Sequence, residues 1–141
     1  VLLINNAFIG NYNSDGPLIR VSQQSSFRFW FRSYSNLFLF HTNEDNDGLY
    51  DLANGEFRDS KSLYIGNISS SRGGVYRATS GVTMHIQDNH YIGNAARDNA
   101  GAIFGSSGTV VHSTNNIFER NGLMTTDFVV PEDLRNWHFS G

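Results

Sequence analysis

One short pattern occurs five times in this chain of 141 residues, and that repetition limits the folds open to it. The pattern is an aromatic residue, two further residues and an asparagine. Its copies are Phe8-Ile9-Gly10-Asn11, Phe40-His41-Thr42-Asn43, Tyr64-Ile65-Gly66-Asn67, Tyr91-Ile92-Gly93-Asn94 and Phe118-Glu119-Arg120-Asn121, with asparagines 32, 24, 27 and 27 residues apart. Asn6, Asn89 and Asn116 stand two residues ahead of the aromatic in three copies. Downstream of the second asparagine comes a polar stretch, then glycine and an apolar run. These runs are Gly16-Pro17-Leu18-Ile19, Gly48-Leu49-Tyr50, Gly73-Gly74-Val75-Tyr76 and Gly101-Ala102-Ile103-Phe104; the fifth copy has Asp127-Phe128-Val129-Val130 instead.

Each repeat offers about three short strands, none long enough to bury a face alone. Stacked coil on coil, each strand would pair with its equivalents above and below, about 4.8 Å away. Like residues then stand in columns. Phe8, Phe40, Tyr64, Tyr91 and Phe118 are expected to form one inward aromatic column. Asn11, Asn43, Asn67, Asn94 and Asn121 are expected to form an amide ladder that satisfies backbone groups at the bends. Composition agrees: 14 Gly, 16 Asn and 16 Ser, but only 2 Pro, break the apolar residues into runs too short for helices. The expected fold is all-β, a right-handed parallel β-helix of about five coils over residues 1–130. Residues 131–141, opening on Pro131-Glu132-Asp133, leave the repeat and read as a cap, a linker or an irregular final coil. The opening strand Val1-Leu2-Leu3-Ile4 suggests a piece of a longer chain, with any signal peptide absent or removed.

These residues carry a resemblance. The paired Phe-x-x-Asn and Gly-Gly-Ala-Ile motifs, here Phe8 to Asn11 with its relatives, Gly73-Gly74-Val75-Tyr76 and Ala100-Gly101-Ala102-Ile103, resemble the polymorphic outer-membrane protein repeats of bacterial surface autotransporters. More broadly they are similar to β-helix repeats of the pectate-lyase type. The resemblance covers roughly residues 1–130 and implies a β-helix.

Two stretches stand out from the repeat. Phe27-Arg28-Phe29-Trp30-Phe31-Arg32 alternates strictly, so the three phenylalanines share one face and Arg28, Trp30 and Arg32 the other. With the phenylalanines inward, a tryptophan flanked by two arginines faces out. That combination suits a ligand, sugar rings among them, or a covering loop or neighbouring chain. A β-sandwich would show the same alternation but not the five repeats. The second stretch is Glu44-Asp45-Asn46-Asp47-Gly48. Asp45 and Asp47 are weak candidates for calcium, with Asn13 and Asp15 on the equivalent turn one coil earlier. The alternative is an acidic, solvated turn with Asx hydrogen bonds.

No catalytic set emerges. His41, His85, His90, His112 and His138 form no metal-binding spacing. Asp51, Asp59, Asp88 and Asp98 are acids that stacked coils can bring together, and Arg72, Arg77 and Arg97 are available for lyase chemistry, but nothing selects among them. Cysteine is absent, which removes thiolate metal sites and thiol catalysis. The net charge of -3, with charged residues only 16% of the chain, argues against nucleic acid, and no apolar run reaches the roughly 18 residues a spanning helix needs. The sequence therefore points to a structural or adhesive solenoid, extracellular or at a cell surface, without a cofactor or catalysis of its own. Its expected partners are coils or chains of the same or a related surface protein. The alternative is a polysaccharide-binding or polysaccharide-cleaving β-helix. Asn67-Ile68-Ser69 is the only glycosylation acceptor pattern in the chain, yet its place in the ladder predicts a buried, unmodified Asn67.

Overall fold

The computed structural model describes residues 1–22, 29–44 and 48–123. The first coil runs through β1 (Leu2–Ile4), β2 (Ala7–Ile9), β3 (Tyr12–Asn13) and β4 (Ile19–Ser22), and the second through β5 (Phe29–Tyr34), β6 (Leu37–Leu39), β7 (Thr42–Asn43) and β8 (Tyr50–Ala53). The third has β9 (Gly55–Ser60), β10 (Leu63–Ile65), β11 (Ile68–Ser69) and β12 (Tyr76–Thr79). The fourth has β13 (Thr83–Gln87), β14 (His90–Ile92), β15 (Ala95–Ala96) and β16 (Ile103–Gly105). β17 (Val110–Thr114), β18 (Ile117–Glu119) and β19 (Gly122–Leu123) begin a fifth coil. Strands of equivalent place pair in parallel to make four sheets: β1-β5-β9-β13-β17, β2-β6-β10-β14-β18, β3-β7-β11-β15-β19 and β4-β8-β12-β16. The protein is an all-β parallel solenoid of about four turns. The expected change of structure near residue 130 falls outside the described residues.

Registration along the axis follows from the columns. On the second sheet Phe8, Phe38, Tyr64, Tyr91 and Phe118 lie opposite one another. Their rings stack with centroids 4.8, 5.0, 5.1 and 4.6 Å apart and planes within 9° of parallel. Each such contact is worth about 0.5–1.5 kcal/mol beyond the area it buries. A second column, Ile19, Tyr50, Tyr76 and Ile103, faces it from the fourth sheet, and the residues of β5, β9 and β13 that point inward complete the core.

The second coil corrects the expected register by two residues. Phe38, not Phe40, occupies the aromatic column, and His41, not Asn43, occupies the amide ladder. Phe40 instead takes the slot of Gly66, at the corner between the second and third sheets. Every coil turns that corner with positive φ: Gly10 at 62°, Phe40 at 54°, Gly66 at 61°, Gly93 at 60° and Arg120 at 54°. Glycine adopts this conformation freely, whereas a side chain there is strained and points out. Phe40 is accordingly half exposed. Asn43 pairs with Asn13 and Ser69 on the third sheet, and its amide donates to the carbonyl of Gly48 in its own coil.

Two polar ladders run the length of the described coils. In the first, the backbone N–H of His41 donates to the Asn67 side-chain oxygen, that of Asn67 to Asn94 and that of Asn94 to Asn121, at 2.9–3.2 Å. The amide groups also donate backwards: Asn67 to Phe38 O, Asn94 to Tyr64 O and Asn121 to Tyr91 O. His41 reproduces this contact with Nε2, 3.0 Å from Phe8 O. The second ladder lies two residues ahead of the aromatics, through Asn6, Asn36, Ser62, Asn89 and Asn116.

Asn67 is fully buried within its ladder. Asn67→Ala is expected to lower stability by about 1–3 kcal/mol, because His41 N–H and Phe38 O lose their partner in a dry interior. Asn13→Ala removes only a turn contact to Asp15 N and a long one to Pro17 O, and should cost less. Equal melting temperatures for the two variants, or glycan on Asn67, would refute the ladder at this coil.

Candidate functional site

The outer face of the first sheet gathers the side chains with most capacity to bind a ligand. β5 alternates as its sequence demands: Phe29, Phe31 and Ser33 are buried, while Trp30, Arg32 and Tyr34 point out. Trp30 is 56% exposed. Phe27 and Arg28, the rest of the alternating stretch, lie outside the described residues. Pairing with β9, β13 and β17 sets Arg32, Arg58, His85 and His112 in one column. Trp30, Glu56, Thr83 and Val110 flank it on one side, and Tyr34, Ser60, Gln87 and Thr114 on the other.

Contacts across coils hold these side chains in place. The Arg58 guanidinium lies 5.2 Å from the centre of the Trp30 ring, and Lys61 Nζ 5.6 Å from that of Tyr34. Arg58 Nε donates to Glu56 at 2.6 Å, and His85 Nε2 lies 3.7 Å from the same carboxylate. The His85 and His112 rings stack at 4.7 Å. No carboxylate among the described residues lies within ion-pair distance of Arg32. A concavity of about 330 Å³ opens along the column, lined by Arg32, Tyr34, Arg58, Ser60, His85 and Gln87 with Asp59 beneath. The face is shallow, cationic along its middle and hydroxyl-rich or aromatic at its edges.

Elsewhere the structure brings Asp51 and Arg77 of the candidate acidic and basic residues together. Asp51 lies on the fourth sheet between Arg20 and Arg77, 3.2 and 3.1 Å away. Asp88 and Asp98 are exposed on different turns, and Arg72 and Arg97 are also exposed. His90 reaches Glu119. Among the described residues no group of three His, Asp or Glu could hold a metal ion, and no helix is long and apolar enough to cross a membrane. Asp45, Asp47 and His138 lie outside those residues.

Two buried titratable groups were not singled out by sequence. Asp59 is inside the solenoid, accepting hydrogen bonds from Ser62 at 2.8 Å, Tyr64 at 2.9 Å and Tyr76 at 2.8 Å. Burial pushes its carboxyl above the usual aspartate range, and the hydroxyls of Ser33, Tyr76, Ser62 and Tyr64 oppose that rise. His41 is buried beside a small cavity of about 130 Å³ that also meets Asn11, Asn13, Asn43 and Leu49. Desolvation lowers its pKa to about 4 against the pull of the Phe8 carbonyl, so the ring is neutral at pH 7. The signal for Asp59 was present in its strand: in Glu56-Phe57-Arg58-Asp59-Ser60, alternation puts Asp59 on the face of Phe57.

Comparison with protein-family models, with curated proteins and with solved structures finds no match to this chain.

Proposed function

We propose that this chain is a structural and adhesive solenoid module of an extracellular or cell-surface protein, and that it presents the outer face of its first sheet to carbohydrate. The observation that carries the reading is Trp30. It stands outward on a strand whose inward residues are sealed, is more than half exposed, and is backed by Arg58, one of the residues that line the concavity. A large exposed indole held in one place is a binding platform of the kind that dominates contact energy at interfaces. The interior supports the structural half of the reading, because its ladder amides and the phenols of Tyr64, Tyr76 and Tyr91 are engaged in holding coils together. The resemblance of Phe8-Ile9-Gly10-Asn11 and its relatives to surface autotransporter repeats supports the location. Asp51, Asp59, Asp88 and Asp98 stand apart from one another, which favours binding over cleavage.

The test is a fluorescence titration with neutral and acidic oligosaccharides in a Trp137→Phe background, which leaves Trp30 as the reporter. A saturable change in emission is expected, and in a parallel calorimetric titration Trp30→Ala should weaken binding about tenfold. No response to any oligosaccharide would remove the adhesive half of the proposal.

A further inference from the structure

We infer that the ligand of this face is a linear glycan carrying sulfate or carboxylate groups, laid along the solenoid axis so that its charges meet the Arg32–Arg58–His85–His112 column. The inference rests on the carbohydrate-binding reading and specifies its chemistry. A parallel sheet places equivalent side chains about 4.8 Å apart on successive coils. A cationic or imidazole position on each of four coils therefore forms a rail that points along the axis, whereas a site for a compact ligand would converge on one point. The charge is concentrated: Arg32, Arg58 and Lys61 stand on or beside this face in a chain whose net charge is -3. Among the described residues the carboxylates nearby are Glu56, already bonded to Arg58, Asp88, which accepts from Gln87, and Asp59, buried beneath the concavity and engaged by Ser62, Tyr64 and Tyr76. Among the described residues Arg32 has no carboxylate partner, and its guanidinium has a fork of donors that matches a sulfate or carboxylate.

The flanks distinguish a glycan from other polyanions. Thr83, Ser60, Gln87 and Thr114 offer hydroxyl and amide groups on either side of the rail, suited to sugar hydroxyls. Trp30 and Tyr34 are the aromatic side chains that point outward beside it, and both belong to β5. A single-stranded nucleic acid would want a ring for each successive base.

The experiment measures binding of the soluble chain to immobilised dextran sulfate, hyaluronan, uncharged dextran and oligo-dT. Dextran sulfate or hyaluronan should bind at least about tenfold more tightly than dextran, and more weakly as salt screens the rail. Arg32→Gln with Arg58→Gln should remove most of that preference. Arg97→Gln, on another part of the solenoid, should leave it, and Arg32→Lys with Arg58→Lys should retain most of it, separating charge from folding. Dextran binding as tightly as its sulfated form would overturn the anionic inference while leaving the carbohydrate face intact. Binding to none of the glycans, or equal loss in Arg97→Gln, would overturn both. Preference for oligo-dT would reassign the rail to nucleic acid and refute the inference.

Discussion

Replacing His41 by asparagine should remove most of the stability this chain loses on mild acidification. His41 is neutral and buried, with a pKa of about 4 against 6.5 in an unfolded chain. Between those values the unfolded state binds the proton and the folded state does not, so stability falls as pH falls from 6.5 to 4. The loss amounts to about 3 kcal/mol at the lower limit. An asparagine at position 41 has no proton to take up. Its amide can donate to Phe8 O as that of Asn67 does to Phe38 O, and it also removes a buried ring nitrogen, Nδ1, that has no hydrogen-bond partner. Urea unfolding at pH 7 and pH 4.5 checks this: the variant should match or exceed the wild type at pH 7 and hold far more of its stability at pH 4.5. The same decline in both proteins would show that His41 does not govern it.

Asp59→Ala should destabilise the solenoid by about 3 kcal/mol or more. The hydroxyls of Tyr64 and Tyr76 both donate to Asp59 Oδ2, and both side chains are fully buried. Without the carboxylate each phenol becomes an unsatisfied buried donor, costing about 1–3 kcal/mol apiece. Ser62 loses its 2.8 Å partner as well. Removing the set together should cost less than removing its centre, so Tyr64→Phe and Tyr76→Phe added to Asp59→Leu should recover much of the loss. The pH dependence has the opposite sign to that of His41. Because the folded carboxyl titrates above its ordinary value of 3.8, its contribution is fully present below that pH and is lost as pH rises through the folded value. Asp59→Asn should abolish that component while keeping one acceptor. An Asp59→Ala protein within about 1 kcal/mol of wild type would show that the phenols find other partners.

The misregister of the second coil shows how far the repeat could be read. Phe40-His41-Thr42-Asn43 matches the aromatic-to-asparagine pattern, and the match is spurious. Two signals in the same stretch favoured the true register. Asn36 stands two residues before Phe38, as Asn6 does before Phe8 and Asn89 before Tyr91. His41 lies seven residues before Gly48, the interval from Asn67 to Gly74 and from Asn94 to Gly101. That glycine sits where coils touch: a methyl group on Gly74 would meet the backbone carbonyl oxygen of Gly101. Its position is therefore a firmer marker of register than the asparagine, whose ladder contact to the coil before a histidine can make equally well.

The sequence by itself determined that this chain stacks coil on coil in parallel, because residues of one type recur at a near-constant interval and strands this short can bury themselves only against their own repeats. It also determined that Trp30 and Arg32 face away from the phenylalanines beside them, since a strand alternates whatever surrounds it. Only the tertiary structure decided which residues share a column. Arg32, Arg58, His85 and His112 belong to no motif, and they become one rail because in-register pairing carries each along the axis to the next. Likewise Asp59 meets Tyr76 from a different sheet across the core. Contacts within a strand follow from local spacing, whereas contacts between coils and across the core depend on the length of every turn between them.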